Sequence, residues 1–248
     1  MAIKEVLMVR ILIWDLPTRL FHWMLAIGVL AAFGIAQFAG EDSPLFPYHS
    51  LVGVILGVIV LLRIAWGLAG TRYAKFCSFL FSPLSVIAYM KGVATGGGVR
   101  HLGHNPGSSY AIFLMLALVL LIATTGLLMG GGNEAFEDIH SIAAYGLIAV
   151  VVVHVAGVLI HTIRFRENIT ASMFIGTKQG EASESIQSAA PISAAIFMVV
   201  VSVLAAGLFR NYDVAARRTT VPMTGIVIHL GEVEGENGPT QHKPGNDD

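Results

Sequence analysis

Five separate runs of apolar residues, each long enough to cross a bilayer, constrain this chain more than any other feature. About twenty residues at 1.5 Å rise per residue cover roughly 30 Å of hydrocarbon. Lipid offers no partner to a free N–H or C=O, so such runs must fold as helices. They fall at about 17–39, 48–69, 108–129, 136–163 and 191–209, the last just long enough to cross. Asp15 ahead of Pro17 marks a helix start, since Asp caps free N–H groups and Pro suits a first turn. Pro47 does the same for the second run, and Ser82 and Pro83 open SPLSVIAYMKG, read as a short helix lying at the interface. Composition agrees: 55% of residues are hydrophobic and only 12% are charged. The reading is an all-α integral membrane protein, a four-helix bundle plus a fifth transmembrane helix.

Basic residues orient the helices. Lys4, Arg10 and Arg19 lie at the start of the chain, Arg72, Lys75, Lys91 and Arg100 between the second and third runs, and Arg164, Arg166 and Lys178 after the fourth. The connections GEDSPLFP and GGGNEAFED contain neither Lys nor Arg. The positive-inside rule therefore places the N-terminus and the long basic connection on the cytoplasmic side. Arg210, Arg217 and Arg218, beyond the fifth run, then fall outside, against that bias. A net charge of −1 with no isolated basic face argues against a nucleic-acid partner.

Imidazoles at membrane depth are costly, and the fourth run carries two, His140 and His154. Fourteen residues at 3.6 per turn leave them about 40° apart and about 21 Å apart along the axis, both facing one seam. That separation suits two stacked haems. Cys77 is the only cysteine, so covalent attachment through C-x-x-C-H is excluded and any haem is held non-covalently. His22 lies near the cytoplasmic end of the first helix and His49 opens the second on the external side. Matching depths pairs His49 with His140 on an outer haem iron and His22 with His154 on an inner one. Gly53 and Gly57 follow His49 at four-residue spacing and would let a porphyrin lie against backbone, or else let helices pack closely. Arg63, on the His49 face at the cytoplasmic end, would pair with haem propionates or snorkel to the interface, and Arg19 has the same two readings.

The segments WDLPTRLFHW, HSLVGVILGVIVLLRIAWG, GHNPGS and RFRENITASMFIGTK, with the paired histidines between them, resemble the bacterial cytochrome b561 family in its nickel-iron hydrogenase b-type branch. The likeness covers about residues 10 to 179. It implies a four-helix dihaem fold similar to the membrane subunit of formate dehydrogenase, with axial ligands at His22, His49, His140 and His154. An Asn-x-Gly element in that subunit contacts quinone, and Asn105, Pro106 and Gly107 match it. His104 beside them would supply a donor to a quinone carbonyl; the plainer reading is a cap and turn that starts the third helix. His161 shares the His154 face and is read as an edge residue beside Arg164, while His229 and His242 lie in the polar C-terminal region.

The chain thus divides into a dihaem domain at 1–179, a polar linker at 180–190, a fifth helix at 191–210 and an external tail at 211–248, either disordered or ordered against a partner. The expected function is electron transfer across the membrane by two haem b groups. The outer one exchanges electrons with an external redox protein, such as a c-type cytochrome or hydrogenase-like enzyme, and the inner one with quinone, as a subunit of a quinone-linked oxidoreductase. The competing functions are a haem-poor membrane anchor for a peripheral enzyme, a stand-alone quinol oxidoreductase, and a histidine-lined metal or proton transporter.

Overall fold

The computed structural model describes residues 8–40, 43–97 and 99–230. Five long helices dominate it: α1 Leu16–Phe38, α2 Phe46–Ala69, α4 Pro106–Gly130, α5 Glu137–Phe165 and α7 Pro191–Arg210. All five are long and apolar enough to cross a membrane. Two short helices, α3 Pro83–Ala94 and α6 Ile169–Ile175, four short strands, β1 Val9–Leu12, β2 Thr177–Gly180, β3 Arg218–Thr220 and β4 Val227–His229, and 3-10 turns at Phe76–Ser78, Glu134–Phe136 and Ala182–Glu184 accompany them.

The starts predicted from Asp15 and Ser82 are made as capping chemistry requires. Asp15 Oδ1 accepts from the Thr18 N–H at 2.8 Å, and Ser82 Oγ from the Ser85 N–H at 3.2 Å. Asp15 does more than cap. Its Oδ2 accepts from Trp66 Nε1 at 3.1 Å and Thr71 Oγ1 at 2.5 Å, tying the start of α1 to the end of α2. The carboxylate is buried, and these three donors replace the water it has lost.

In the bundle α1 packs on α2, α2 on α4, and α4 on α5, while α7 lies against α1 and α2. A central cluster of Ala32, Leu56, Val60, Leu116, Val119 and Leu147 joins α1, α2, α4 and α5 at mid-height. Phe197 and Val201 of α7 pack on Phe21 and Ile59. Helix α7 begins where α1 begins, with Leu16 N–H donating to the Ala189 carbonyl at 2.9 Å, and ends beside the start of α2 through Leu208 and Leu51. It therefore runs the full height of the bundle.

Antiparallel sheets mark the two ends. At the sheet end, β1 pairs with β2, and the Gly176 carbonyl accepts from the Ile13 and Trp14 N–H groups at 2.9 and 3.0 Å. Gly176 has φ 84° and lies 2.9 Å, measured from where a Cβ would stand, from the Trp14 carbonyl, so only glycine closes this turn. Residues 180–190, expected as a linker, are instead bound into this end. Gly180 pairs with Val9, Ile186 is buried, and its N–H donates to the Leu12 carbonyl at 2.9 Å. Low-complexity composition concealed this because the bonds run through the backbone.

At the hairpin end, residues 211–230 are ordered on the bundle, with β3 paired to β4. Leu230 is buried with Leu51 and Leu208. Two glycines let the hairpin approach helix backbone: a Cβ on Gly130 would stand 2.3 Å from the His229 carbonyl oxygen, and one on Gly207 2.0 Å from Pro222 Cγ. The remainder of the expected tail, with His242, lies outside the described residues, as does Lys4.

Gly130→Ala or Gly207→Ala should lift the hairpin at a cost of about 1–3 kcal/mol, typical of overpacking. Amide exchange over residues 217–230 would then rise while exchange in α1, α2 and α5 stays at wild-type levels.

Candidate functional site

Helix α5 follows α4 closely but makes no comparable backbone approach to α1 or α2. The four membrane histidines come from these helices, His22 on α1, His49 on α2, and His140 and His154 on α5. Leu147 and Val151 pack into the central cluster between the heights of His140 and His154, so apolar side chains divide the region into two levels.

At the hairpin end, His49 and His140 are each the fourth residue of their helix. Their ring centroids stand 6.0 Å apart with planes inclined at 65°. Two imidazole nitrogens each about 2 Å from a shared metal atom put the ring centres roughly 6 Å apart. Each ring is also held by its other nitrogen. His49 Nδ1 lies 2.8 Å from the Ala32 carbonyl, which can only accept, so Nδ1 carries the proton and Nε2 keeps its lone pair. His140 Nδ1 lies 3.1 Å from Thr125 Oγ1, which donates its own proton to the Leu121 carbonyl at 2.9 Å and so accepts from the ring. Thr125 is fully buried, and Gly126 leaves the space that His140 Cε1 occupies, 3.3 Å from where a Cβ would stand. Open space lies above Gly53, with nothing within 4 Å of a notional Cβ, whereas Gly57 backs onto Ala123 at 3.0 Å and serves the α2–α4 packing.

At the sheet end, His22 on α1 and His154 on α5 make no ring contact of the kind that His49 and His140 make; the His22 ring lies instead against Trp23, centroids 5.0 Å apart. His104 stands near both histidines, and near Arg63 and Lys178. Its ring lies against Trp14 and Phe79, centroids 4.8 and 4.4 Å away, and its Nε2 is shut off from solvent without a partner among the described residues. Burial, reinforced by the cationic Arg63 and Lys178, pushes the His104 imidazole down to about 3, so the ring is neutral near pH 7. Arg63 is buried: Nη2 donates to the Ala74 carbonyl at 3.1 Å, the guanidinium lies 5.1 Å from the Phe76 ring centre, and Nη1 has no partner. A buried guanidinium nitrogen left free is suited to an anionic group. Arg19 donates to the Phe174 carbonyl, and its Nε is likewise buried and unpaired.

The GHNPGS segment forms the cap its plainer reading required. Asn105 Oδ1 accepts from the Ser108 N–H at 2.8 Å, and Ser108 Oγ accepts from the Asn105 N–H at 3.0 Å. The Asn105 amide nitrogen donates to nothing among the described residues, and Gly107 lies beside Tyr89 and Met90.

His161 corrects the sequence reading. It is buried rather than at an edge beside Arg164, whose guanidinium instead holds the end of α3 through the Val93 carbonyl at 2.8 Å and the Gly97 carbonyl. Its Nε2 stands 3.5 Å from Glu167 Oε2. Arg100 grips the same carboxylate with two bonds, 3.1 and 2.9 Å, and Lys178 Nζ lies 3.9 Å away. Burial pushes the Glu167 carboxyl up, but His161, Arg100 and Lys178 outweigh it and bring it down to about 2. This cluster, Thr125 and the Ala32 carbonyl all escaped the sequence reading. A threonine pair in an apolar helix was a visible signal for Thr125; a backbone carbonyl gives none.

Residues 13–176 match the profile of the prokaryotic cytochrome b561 family. Among individual proteins, the chain is 24% identical over 211 residues to a probable Ni/Fe-hydrogenase B-type cytochrome subunit of Rhizobium leguminosarum bv. viciae, covering 67% of this chain and 87% of that one. The identity is 27% over 210 residues to the similarly named protein of Cupriavidus necator, covering 66% and 85%. It is 24% over 137 residues to a probable Ni/Fe-hydrogenase 1 B-type cytochrome subunit of Escherichia coli K12, covering 46% and 57%. No solved structure matches the chain.

Because the folded Glu167 carboxyl is depressed, its contribution to stability is complete above the unfolded value of 4.5 and is lost as pH falls toward about 2. Glu167→Gln should therefore lower Tm at pH 7, by the equivalent of about 1–3 kcal/mol for lost charged hydrogen bonds. Thermal melts between pH 7 and pH 3 should show the gap from wild type narrowing as pH falls.

Proposed function

Since this chain belongs to the prokaryotic cytochrome b561 family, we propose that it is a dihaem b-type cytochrome moving electrons between an external redox protein and quinone. The observation that carries the reading is the His49–His140 pair, two facing rings whose Nδ1 atoms are both engaged and whose centres are 6.0 Å apart. Bound haem b supplies reversible one-electron redox chemistry; the protein supplies ligation, orientation and electrostatics.

His49 and His140 would hold the outer haem and His22 and His154 the inner one. The Ala32 carbonyl and Thr125 hydroxyl engage the Nδ1 atoms of the outer pair, which would leave each Nε2 free to ligate. Gly53 leaves room for the macrocycle. The free nitrogens of Arg63 and Arg19 would be available to propionates of an inner haem, which would satisfy donors that the chain leaves buried. Leu147 and Val151 exclude water between the two levels.

Quinone binds at the sheet end, beside the start of α4. His104 presents Nε2 to a quinone carbonyl, and its neutral state lets that nitrogen donate or accept according to tautomer. The Asn105 amide group and Gly107 backbone complete the contact. The excess of basic residues at the sheet end supports placing it on the cytoplasmic side, with the hairpin end facing outward. The relatives' names point to a hydrogenase-like enzyme as the external partner.

Purified protein should carry two b haems per chain by haem quantification, with two transitions in a redox titration. His154→Ala should lose the inner haem and keep the outer transition, and His140→Ala the reverse. Full haem content with both transitions in either variant contradicts the pairing.

A further inference from the structure

The cluster around Glu167 holds more basic groups than its one carboxylate can neutralise, and the function proposed above gives it no task. Arg100 already matches that carboxylate, its Nε and Nη2 donating to the two oxygens at 3.1 and 2.9 Å. Nη2 also donates to the Gln179 carbonyl at 2.7 Å, so the guanidinium is pinned beside Lys178. Lys178 Nζ stands 3.9 Å from Glu167 Oε1, beyond hydrogen-bond length, although its side chain is only 4% exposed. His161 is buried 3.5 Å from Oε2, and neither of its ring nitrogens has a hydrogen-bond partner among the described residues. A buried imidazole that served packing alone would have its nitrogens bonded. Charging Lys178 and His161 together would set two further cations beside a carboxylate that Arg100 has neutralised, so the two share one proton.

The cluster reaches toward the proposed quinone position on one side and the basic connection on the other. Lys178 Nζ lies 5.8 Å from the centre of the Trp14 ring, the same ring that His104 meets at 4.8 Å. Burial pushes the Lys178 ammonium down, Glu167 pulls it back up, and Arg100 opposes Glu167. On the far side stands His101, half-buried against the Phe81 and Tyr89 rings at 5.7 and 5.9 Å. Burial and then the nearby His161 lower its imidazole. The other cations in this region are Arg63, near His104, and Arg164, occupied by the Val93 carbonyl. A series of exchangeable groups thus runs from His104 past Lys178, Glu167 and His161 to His101.

Resting on the quinone reading, we propose that Lys178, Glu167 and His161 form the proton path between the quinone position and the cytoplasmic side, with Lys178 exchanging the proton with the quinone oxygen. When quinol is oxidised, its two O–H bonds break, two electrons leave singly to the b haems, and the protons pass one at a time to the neutral Lys178 amine. Glu167 lies between Lys178 and His161 and stabilises the proton on either side of it. His161 then releases the proton toward His101 and water. Quinone reduction runs these steps backward, consuming two electrons and two protons.

Lys178→Arg separates proton transfer from charge, because a guanidinium supplies the cation but does not give up its proton. Menadiol is mixed with full-length oxidised protein in neutral-lipid nanodiscs, haem reduction is followed by stopped flow, and dithionite then reports total haem. Lys178→Arg and Lys178→Met should both slow reduction by menadiol about a hundredfold, the low end for a lost acid–base group, with dithionite-reducible haem at wild-type levels. His161→Gln should slow it as well. Independently, the five lysines are labelled with nitrogen-15 at the side-chain amine and titrated by NMR, Lys178→Arg identifying the signal. Lys178 should titrate below the other four, and lower still in Glu167→Gln. That titration needs neither haem nor quinone, so it decides the matter where a variant loses haem. Lys178→Arg reacting at the wild-type rate, or a Lys178 signal that titrates with the other lysines, overturns the path. Wild-type protein that dithionite reduces and menadiol does not would instead overturn the quinone reading, and the path with it.

Discussion

An imidazole in hydrocarbon must have both ring nitrogens engaged, and that requirement organises this molecule. At the hairpin end one nitrogen of each ring is already engaged by the protein, His49 with the Ala32 carbonyl and His140 with Thr125. The Ala32 carbonyl belongs to an α1 that must pack within reach of α2, and Thr125 to an α4 that must pack within reach of α5. Helix packing and the orientation of these rings are therefore one constraint. Helix α5 makes no close backbone approach to α1 or α2 comparable to its packing on α4, so the His49 and His140 rings meet through side chains alone.

The two ends meet the cost of polar groups in opposite ways. The hairpin end holds each ring by a single hydrogen bond to a neutral acceptor, and an apolar hairpin core shields them. The sheet end gathers charges: Asp15 between three donors, Glu167 among Arg100, His161 and Lys178, and Arg63 beneath Ala74 and beside Phe76. The Asp15 bonds to Trp66 and Thr71 and the Arg100–Glu167 pair join segments distant in sequence and tie together the end of the bundle where His104 lies. Under the proposed orientation, that end lies where quinone would exchange protons with water, so a preorganised polar environment there suits the chemistry.

The helices were largely legible because membrane-crossing runs need only length and apolarity, and Asp15, Ser82 and Asn105 announced their starts through capping. Edges moved by one or two residues, as at Leu16 against the expected Pro17. The two small sheets were not legible. Strands of three or four residues, such as Val9–Leu12 and Thr177–Gly180, have no periodicity to read, and their partners lie far away in the chain. His161 was misplaced for a related reason: its helical face agreed with an edge position, but burial depended on Glu167 beyond the helix end.

Sequence alone determined that this is a multi-pass helical membrane protein, because the bilayer permits little else for runs of that length and apolarity. Spacing within α5 also set His140 and His154 on one seam, since helix geometry is local. Only tertiary structure decided which carbonyl and hydroxyl hold the outer rings, that Gly57 serves helix packing while Gly53 faces open space, and that residues 211–230 close over the start of α2. Those outcomes depend on contacts between segments remote in the chain, and no local pattern encodes the distance between two helices.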